Sequence, residues 1–162
     1  MAGSDVVAVF ITADTNAADV ASISANERPN TDFTIGGTDT SGGVATFDAG
    51  RIVTATTAGT GDSGKTVTIT GTDVNGDAQT ETITLPGSAT TTSGTKFFKT
   101  VTAASASTQP AANVSLGHAA GAADVIFAGR SRLQGLNIVC SAADGTLDFR
   151  DSSPTGTSIF KV

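Results

Sequence analysis

Apolar and polar residues alternate with a period of two along much of the chain, which is the repeat of a β-strand with one buried face. The clearest example begins at residue 65, where Val67 and Ile69 alternate with threonines. Asn75-Gly76 follows this arm, and that pair favours the positive φ angles of a type I′ turn. The sequence therefore predicts a β-hairpin over residues 65–85.

The return arm of this hairpin carries one charged residue on its apolar face. Ile83 and Leu85 share that face with Glu81, and Pro86-Gly87 ends the strand. A covered carboxylate is costly unless it is paired. We therefore expect Glu81 at the margin of the sheet, or paired with a cation.

Other short segments rich in β-branched and aromatic residues are separated by glycine-rich turns. They cover residues 43–47, 51–56, 96–102 and 113–116 and, beyond a glycine- and alanine-rich connection at 117–123, residues 133–140, 146–150 and 158–162. Many short strands at regular spacing are typical of an antiparallel β-sandwich or barrel. The predicted fold class is therefore all-β, with tight glycine turns.

The two ends of the chain differ from the middle. Residues 1–30 hold the apolar run 6–11 and a second apolar segment at 17–23, which are compatible with an extended arm or with a short helix or strand. Residues 31–120 are predicted to form the β-sandwich core. Residues 121–162 are predicted to add strands that complete this sandwich or form a small β extension.

Composition narrows the function classes. The formal net charge is −6, and no run of lysine or arginine occurs, so the chain is not expected to bind nucleic acid. Trp and Tyr are absent, which removes the usual stacking platforms for sugars and bases. No apolar run reaches membrane-spanning length, and run 6–11 follows Asp5 instead of a basic segment, so neither a membrane span nor a signal peptide is expected.

Residues 59–66 match the pattern of a nucleotide-binding P-loop. A phosphate cradle requires that such a loop follow a buried strand and open a helix, whose first amides face the anion. Here Lys65 begins an alternating strand, so we interpret the segment as a short loop between two antiparallel strands. ATP binding is not predicted.

Ser63 lies in a Gly-Asp-Ser-Gly segment like that around the nucleophile of trypsin-like proteases. That chemistry needs a histidine and a buried aspartate beside the serine. The single histidine, His118, lies in a glycine- and alanine-rich stretch and is expected in a loop. Cys140 lies in an apolar run and is expected to be a buried, unreactive thiol.

Two groups of oxygen-bearing side chains are candidate calcium ligands. Asp73, Asn75 and Asp77 have the spacing of the first half of an EF-hand loop, but Ala78 and Thr84 replace the glycine and glutamate that such a loop needs. We interpret this group as a hairpin turn. A second group, Asp144, Asp148 and Asp151, is interpreted as acidic turn residues. No catalytic, cofactor-binding or metal-binding residue is therefore predicted, and the chain is not expected to be an enzyme.

Three stretches carry a family resemblance: residues 43–54, residues 68–83 with Gln-Thr-Glu-Thr at 79–82, and residues 95–101 with Lys-Phe-Phe-Lys-Thr at 96–100. In these stretches the chain is similar to small β-rich structural proteins encoded among the virion genes of tailed bacteriophages. The resemblance spans about half of the chain, roughly residues 40–120.

This resemblance implies a capsid decoration, or cement, protein that binds and stabilises the shell of the major capsid protein. Such a protein is made in the host cytoplasm, occupies the capsid surface in many copies, contacts the major capsid protein or other virion proteins, and is in some cases a homo-oligomer. It implies no cofactor, nucleic acid or membrane partner. The alternatives are a tail, neck or fibre component, or an adhesin-like module that binds a receptor through loops 59–64 and 88–94.

Overall fold

The computed structural model describes residues 17–121 and the backbone of two short strands nearer the C-terminus. Seven strands form one antiparallel sheet: β1 (Asp19–Glu27), β2 (Thr40–Ser41), β3 (Val44–Thr57), β4 (Thr66–Thr72), β5 (Ala78–Thr84), β6 (Thr91–Ala106) and β7 (Val114–His118). Their spatial order is β1-β7-β3-β6-β4-β5, with β2 beside β3. The described residues contain no helix, which confirms the all-β, antiparallel class.

The two long strands, β3 and β6, form the centre of the sheet. β3 merges the predicted strands 43–47 and 51–56, and its pairing with β6 is irregular between Thr46 and Arg51. Such an irregularity bends a strand without ending it. β6 extends the predicted strand 96–102 at both ends and pairs with β3 and β4 on its two edges.

The predicted hairpin is present as β4 and β5, but its turn differs from the expected type I′. Gly76 has a φ of 87°, whereas Asn75 does not adopt positive φ. The Gly76 amide donates to the Asp73 carbonyl, and the Asp73 amide donates to the Asp77 carbonyl, as in a type I turn followed by a left-handed glycine. The Asp73 carboxylate also accepts the amides of Asn75 and Asp77, which stabilises this alternative turn.

Glu81 is half-buried, and its partners are mainly backbone amides of β6. Its carboxylate accepts the Thr95 amide at 2.6 Å, the Thr95 hydroxyl at 2.8 Å and the Lys96 amide at 3.2 Å. β4 pairs with β6 only from Thr100 onward. Glu81 therefore accepts amides from the part of the β6 edge that β4 leaves unpaired. β5 is an edge strand of the described sheet, so Glu81 lies at the sheet margin, which was one of the two expected positions, and its carboxylate binds backbone amides instead of a cation.

The core lies on the face of the sheet that Val67 and Ile69 occupy, as the alternation predicted. Three phenylalanines supply its largest side chains, and small or branched residues fill the space between them. The buried apolar residues are Ile23, Phe33, Ala45, Phe47, Val53, Ala55, Val67, Ile69, Ile83, Leu85, Phe98, Val101, Ala104, Ala106, Val114 and Leu116. Removing this apolar surface from water is the main driving force for the fold.

Part of the segment 1–30 belongs to the main sheet. β1 pairs with β7, and the connection after β1 returns to the sheet, with the Gly36 and Gly37 amides donating to the Ile23 carbonyl. Residues 1–16 lie outside the described residues. So do the predicted strand 133–140 and Cys140 within it.

Near the C-terminus, β8 (Asp148–Arg150) pairs antiparallel with β9 (Ser158–Lys161). These strands lie within the predicted segments 146–150 and 158–162. Among the described residues, no helix is long and apolar enough to cross a membrane.

Candidate functional site

Charged and polar side chains gather at the two ends of β7. At its start, the loops 58–65 and 107–113 meet around Asp62, and we call this region the Asp62 end. At its finish, His118 lies beside Asp39, and we call this region the His118 end. The two ends differ in how their polar groups are satisfied, so each is described in turn.

Asp62 is fully buried in the loop that resembles a P-loop. Its carboxylate accepts the amides of Ala111 at 2.6 Å and Ala112 at 3.2 Å, and the Lys65 ammonium at 3.0 Å. The lysine that would bind a phosphate in a P-loop is therefore occupied by a carboxylate of its own chain. Lys65 also donates to the Gln109 carbonyl at 3.0 Å.

The electrostatics of Asp62 follow from these contacts. Burial alone would raise the pKa of this carboxyl, but the amides of Ala111 and Ala112 and the Lys65 ammonium outweigh it and hold the pKa below its usual value. Asp62 is therefore ionised at neutral pH. It stabilises the contact between the two loops in that form.

The loop around Asp62 does not join an antiparallel pair of strands, as the sequence had predicted. β3 and β4 are both antiparallel to β6, so they run parallel to each other, and the loop crosses over β6 instead of linking an antiparallel pair. β4 begins at Thr66, so no helix follows Lys65. This geometry lacks the helix N-terminus that a nucleotide phosphate requires.

His118 is the last residue of β7 and is only 5% exposed, so the prediction of a loop position was wrong. The misleading residue is Gly117, which is needed for packing: a Cβ there would lie 1.9 Å from the Asp19 carbonyl oxygen. The His118 ring packs edge-on against Phe47, with ring centroids 5.5 Å apart. Phe47 thereby fixes the orientation of the imidazole.

Both ring nitrogens of His118 face oxygen atoms. Nδ1 lies 3.0 Å from the Ala119 carbonyl oxygen, which can only accept, so Nδ1 is the donor there. Nε2 lies 3.4 Å from Asp39 Oδ2. A hydrogen bond between Nε2 and Asp39 therefore forms only when the imidazole carries both protons.

Arg51 is the largest fully buried side chain, with 1% exposure, and it also lies at the His118 end. Its guanidinium donates to the Gly121 carbonyl at 3.0 Å and to Asp48 Oδ1 at 3.0 Å. Arg51 thus ties β3 to the segment that follows β7.

Asp19 begins β1 and pairs with His118 in the strand register. The Ala21 amide donates to its carboxylate at 2.8 Å, and the Thr38 hydroxyl donates at 2.8 Å. The Ala21 amide, with smaller contributions from Thr38 and the charge of His118, lowers the pKa of Asp19 despite partial burial. The start of β1 and the end of β7 therefore lie side by side.

Two shallow cavities open at the His118 end and share Asp39 and His118 as a common wall. The larger, about 510 Å³, is lined by Ala17, Ala18, Asp19, Val20, Asp39 and His118. The smaller, about 250 Å³, is lined by Asp39, Thr46, Phe47, Asp48, Arg51 and His118. Val20 is 46% exposed, and among the described residues it is the only large apolar side chain that is exposed.

The structure does not bring together the candidate catalytic and calcium-binding side chains that the sequence offered. Ser63 lies at the Asp62 end and His118 at the opposite end of β7, which excludes a protease-like pair. Asp73 is used by the amides of its own turn, and no group of three acidic, His or Cys side chains suited to a metal occurs among the described residues. Asp148 lies in β8, whereas Asp144 and Asp151 lie outside the described residues.

The residues that organise the two ends were missed by sequence reasoning. Asp62 could have been suspected from a single acid in a glycine-rich loop, where backbone amides are free to bind a carboxylate. No local signal distinguishes Arg51 from an ordinary solvent-facing arginine.

A scan against protein-family models and searches of curated proteins and solved structures found no match to this chain.

Proposed function

We propose that the chain is a structural protein of a tailed-bacteriophage particle, and most specifically a capsid decoration protein that binds the shell of the major capsid protein. What supports the proposal is that the three stretches with the virion-protein resemblance fall on β3, the β4–β5 hairpin and β6, the strands at the centre and one side of the sheet. The resemblance therefore concerns one continuous structural unit, and not scattered loops.

The chemistry of the two ends is consistent with a contact role. The buried charged groups Asp62 and Arg51 are bonded to backbone groups or to side chains of the same chain. A catalytic acid or base needs access to a substrate. These residues instead hold loops and the segment after β7 in place.

The positions of residues 17 and 121 suggest how such a protein would attach. Residue 17 and residue 121 lie at the same end of the sheet, because Asp19 pairs with His118 and Arg51 binds Gly121. Since residues 19–27 belong to the sheet, the N-terminal segment that could grip a shell is limited to residues 1–18. Many such attachments would sum by multivalency on a repeating shell.

Mass spectrometry of purified particles from the phage or prophage that encodes the chain tests this proposal. A decoration protein is expected in hundreds of copies per particle, whereas a handful of copies would indicate a tail, neck or fibre component. Absence from particles would overturn the virion assignment and favour the adhesin-like alternative.

Binding of the purified chain to shells that lack it locates the attachment. Val20→Asp, at the His118 end, is expected to weaken binding at least about tenfold, because it places a charge on the exposed apolar residue there. Val74→Asp in the β4–β5 turn is the matched control and is expected to bind normally. Equal binding by both variants would place the contact elsewhere.

A further inference from the structure

The turn between β4 and β5 contains a dipeptide with its own chemistry. Asn75 is followed by Gly76, whereas the other asparagines of the sequence, at positions 16, 26, 30, 113 and 137, precede larger residues. A backbone nitrogen can attack the side-chain amide of the asparagine before it, and glycine obstructs this approach least because it has no Cβ. Asn75 is therefore the asparagine of this chain that is most suited to such a reaction.

The structure leaves the reacting groups of this dipeptide accessible. Asn75 and Gly76 are both exposed, and they lie in the turn between the two paired strands. Gly76 has a φ of 87°, and a Cβ built on it would meet no atom within 4 Å. A cyclic imide that joins the Asn75 side chain to the Gly76 nitrogen therefore has room to form.

We propose that Asn75 is a site of spontaneous conversion to aspartate and isoaspartate, and that Asp73 controls the rate of this conversion. The Gly76 nitrogen loses its proton and attacks Asn75 Cγ. A bond forms between that nitrogen and Cγ, the bond between Cγ and Nδ2 breaks, and ammonia leaves with the proton. Water then opens the resulting succinimide at one of its two carbonyls, which gives isoaspartate or aspartate at position 75.

Asp73 opposes the first step of this reaction. Its carbonyl accepts the Gly76 amide at 3.1 Å, so the attacking nitrogen is engaged while the turn is closed. Its carboxylate accepts the backbone amides of Asn75 at 2.8 Å and Asp77 at 3.0 Å, and also Asn75 Nδ2 at 3.4 Å. The negative charge beside these amides disfavours loss of a proton from the nitrogen between them. The reaction therefore proceeds when the turn opens locally.

The product weakens the turn that slowed its formation. Conversion adds a carboxylate at position 75, where the Asp73 carboxylate now accepts the Asn75 amide group. Two like charges then replace a hydrogen bond, and Asp77 adds a third carboxylate to the same turn. Isoaspartate also inserts a methylene group into the backbone between β4 and β5, so the spacing of the turn hydrogen bonds changes.

Peptide mapping by mass spectrometry of the full chain, incubated at mildly alkaline pH, tests the proposal. Asn75 is expected to convert faster than Asn30 or Asn113. Asp73→Ala should accelerate the conversion at least about fivefold, because the turn loses a hydrogen bond of average strength. Asp73→Asn keeps an oxygen acceptor but not the charge, so its rate should lie between those of the parent chain and Asp73→Ala. Conversion of Asn75 no faster than that of Asn30, or an Asp73→Ala variant that reacts at the parent rate, would overturn the proposal.

The same incubation in urea separates the effect of the folded turn from that of the local sequence. Once the chain is unfolded, the parent and Asp73→Ala are expected to convert Asn75 at similar rates, and the parent should react faster than in its folded form. A parent chain that reacts equally fast when folded and unfolded would show that the turn gives no protection, and would overturn the role of Asp73. The inference concerns the chain alone, so its failure would leave the particle assignment to the copy-number measurement.

Discussion

The two ends of β7 satisfy their buried polar and charged side chains in different ways. At the Asp62 end, one buried carboxylate accepts two backbone amides and a lysine, and the two loops that meet there are bonded to each other. At the His118 end, a buried histidine and a buried arginine face an exposed carboxylate, a half-exposed one and two open cavities. The first end is closed on itself, and the second retains polar groups at the surface.

This difference indicates that the Asp62 end contributes mainly to stability, whereas the His118 end offers exposed groups for contact. A buried ion that is fully hydrogen-bonded is costly to disturb, whereas an ion pair near solvent contributes little. We therefore expect variants at the Asp62 end to lower stability most, and variants of the exposed partners at the His118 end to leave the fold almost unchanged.

The largest effect is expected for Asp62→Asn. The amide group turns a donor toward donors and loses the charge that Lys65 needs, so the free energy of unfolding should fall by about 3 kcal/mol. Urea unfolding followed by circular dichroism measures this. Asp73→Asn is the matched control, since this exposed carboxylate also accepts two amides but should cost about 1 kcal/mol or less. Equal losses would remove the contrast between buried and exposed carboxylates.

Gly117→Ala should cost about 2 kcal/mol and act at the His118 end. The added Cβ would lie 1.9 Å from the Asp19 carbonyl oxygen, so β1 must shift away from β7. Chemical-shift changes in NMR spectra should concentrate on β1. Gly36→Ala is the control because its Cβ meets nothing closer than 3.7 Å. A Gly117 variant as stable as the parent would show that β1 is loosely held.

Acid should destabilise the protein through both ends. The pKa values of Asp62 and Asp19 are lowered in the folded state. Their stabilisation is therefore complete above the unfolded value of about 3.9 and is lost as the pH falls below it through the folded values. Unfolding free energies measured from pH 5 to pH 2 should fall less steeply for Asp62→Asn, and for Asp19→Asn, than for the parent chain. A variant whose stability falls as steeply as that of the parent chain would contradict the assignment for that residue.

The smallest effect is expected for Asp39→Asn. This carboxylate is about one-third exposed, so its pair with His118 should contribute less than about 1 kcal/mol. Because the chain has a single histidine, its imidazole signals can be followed by NMR without ambiguity. A loss above 2 kcal/mol would mean that the His118 end is as rigid as the Asp62 end.

Local patterning predicted much of the sheet but not its long-range features. The alternation around Val67 and Ile69 correctly gave the β4–β5 hairpin, because period two depends only on neighbouring residues. Asp48-Ala49-Gly50 looked like a turn, yet β3 continues through it, because pairing with β6 outweighs local preference there. The turn at Asn75 was mistaken because the Asp73 side chain selects another turn type.

The contacts at the two ends of β7 were also less predictable, because they join residues that are far apart in the sequence. Asp62 meets Ala111 and Ala112 from a loop some fifty positions away, and Arg51 meets Gly121 from 70 positions away. Neither contact leaves a trace in neighbouring residues. His118 was assigned to a loop because glycine precedes it, whereas that glycine allows the backbone of β1 to approach.

The pairing of Asp19 with His118 has a mechanical consequence. A pull applied between residues 17 and 121 acts at one end of the β1–β7 ladder, across the strands, so their hydrogen bonds would open one after another instead of resisting together. The tension would pass between neighbouring strands and bypass Phe98 and the rest of the interior. A pull of this kind would therefore separate β1 from β7 while the centre of the sheet stays folded.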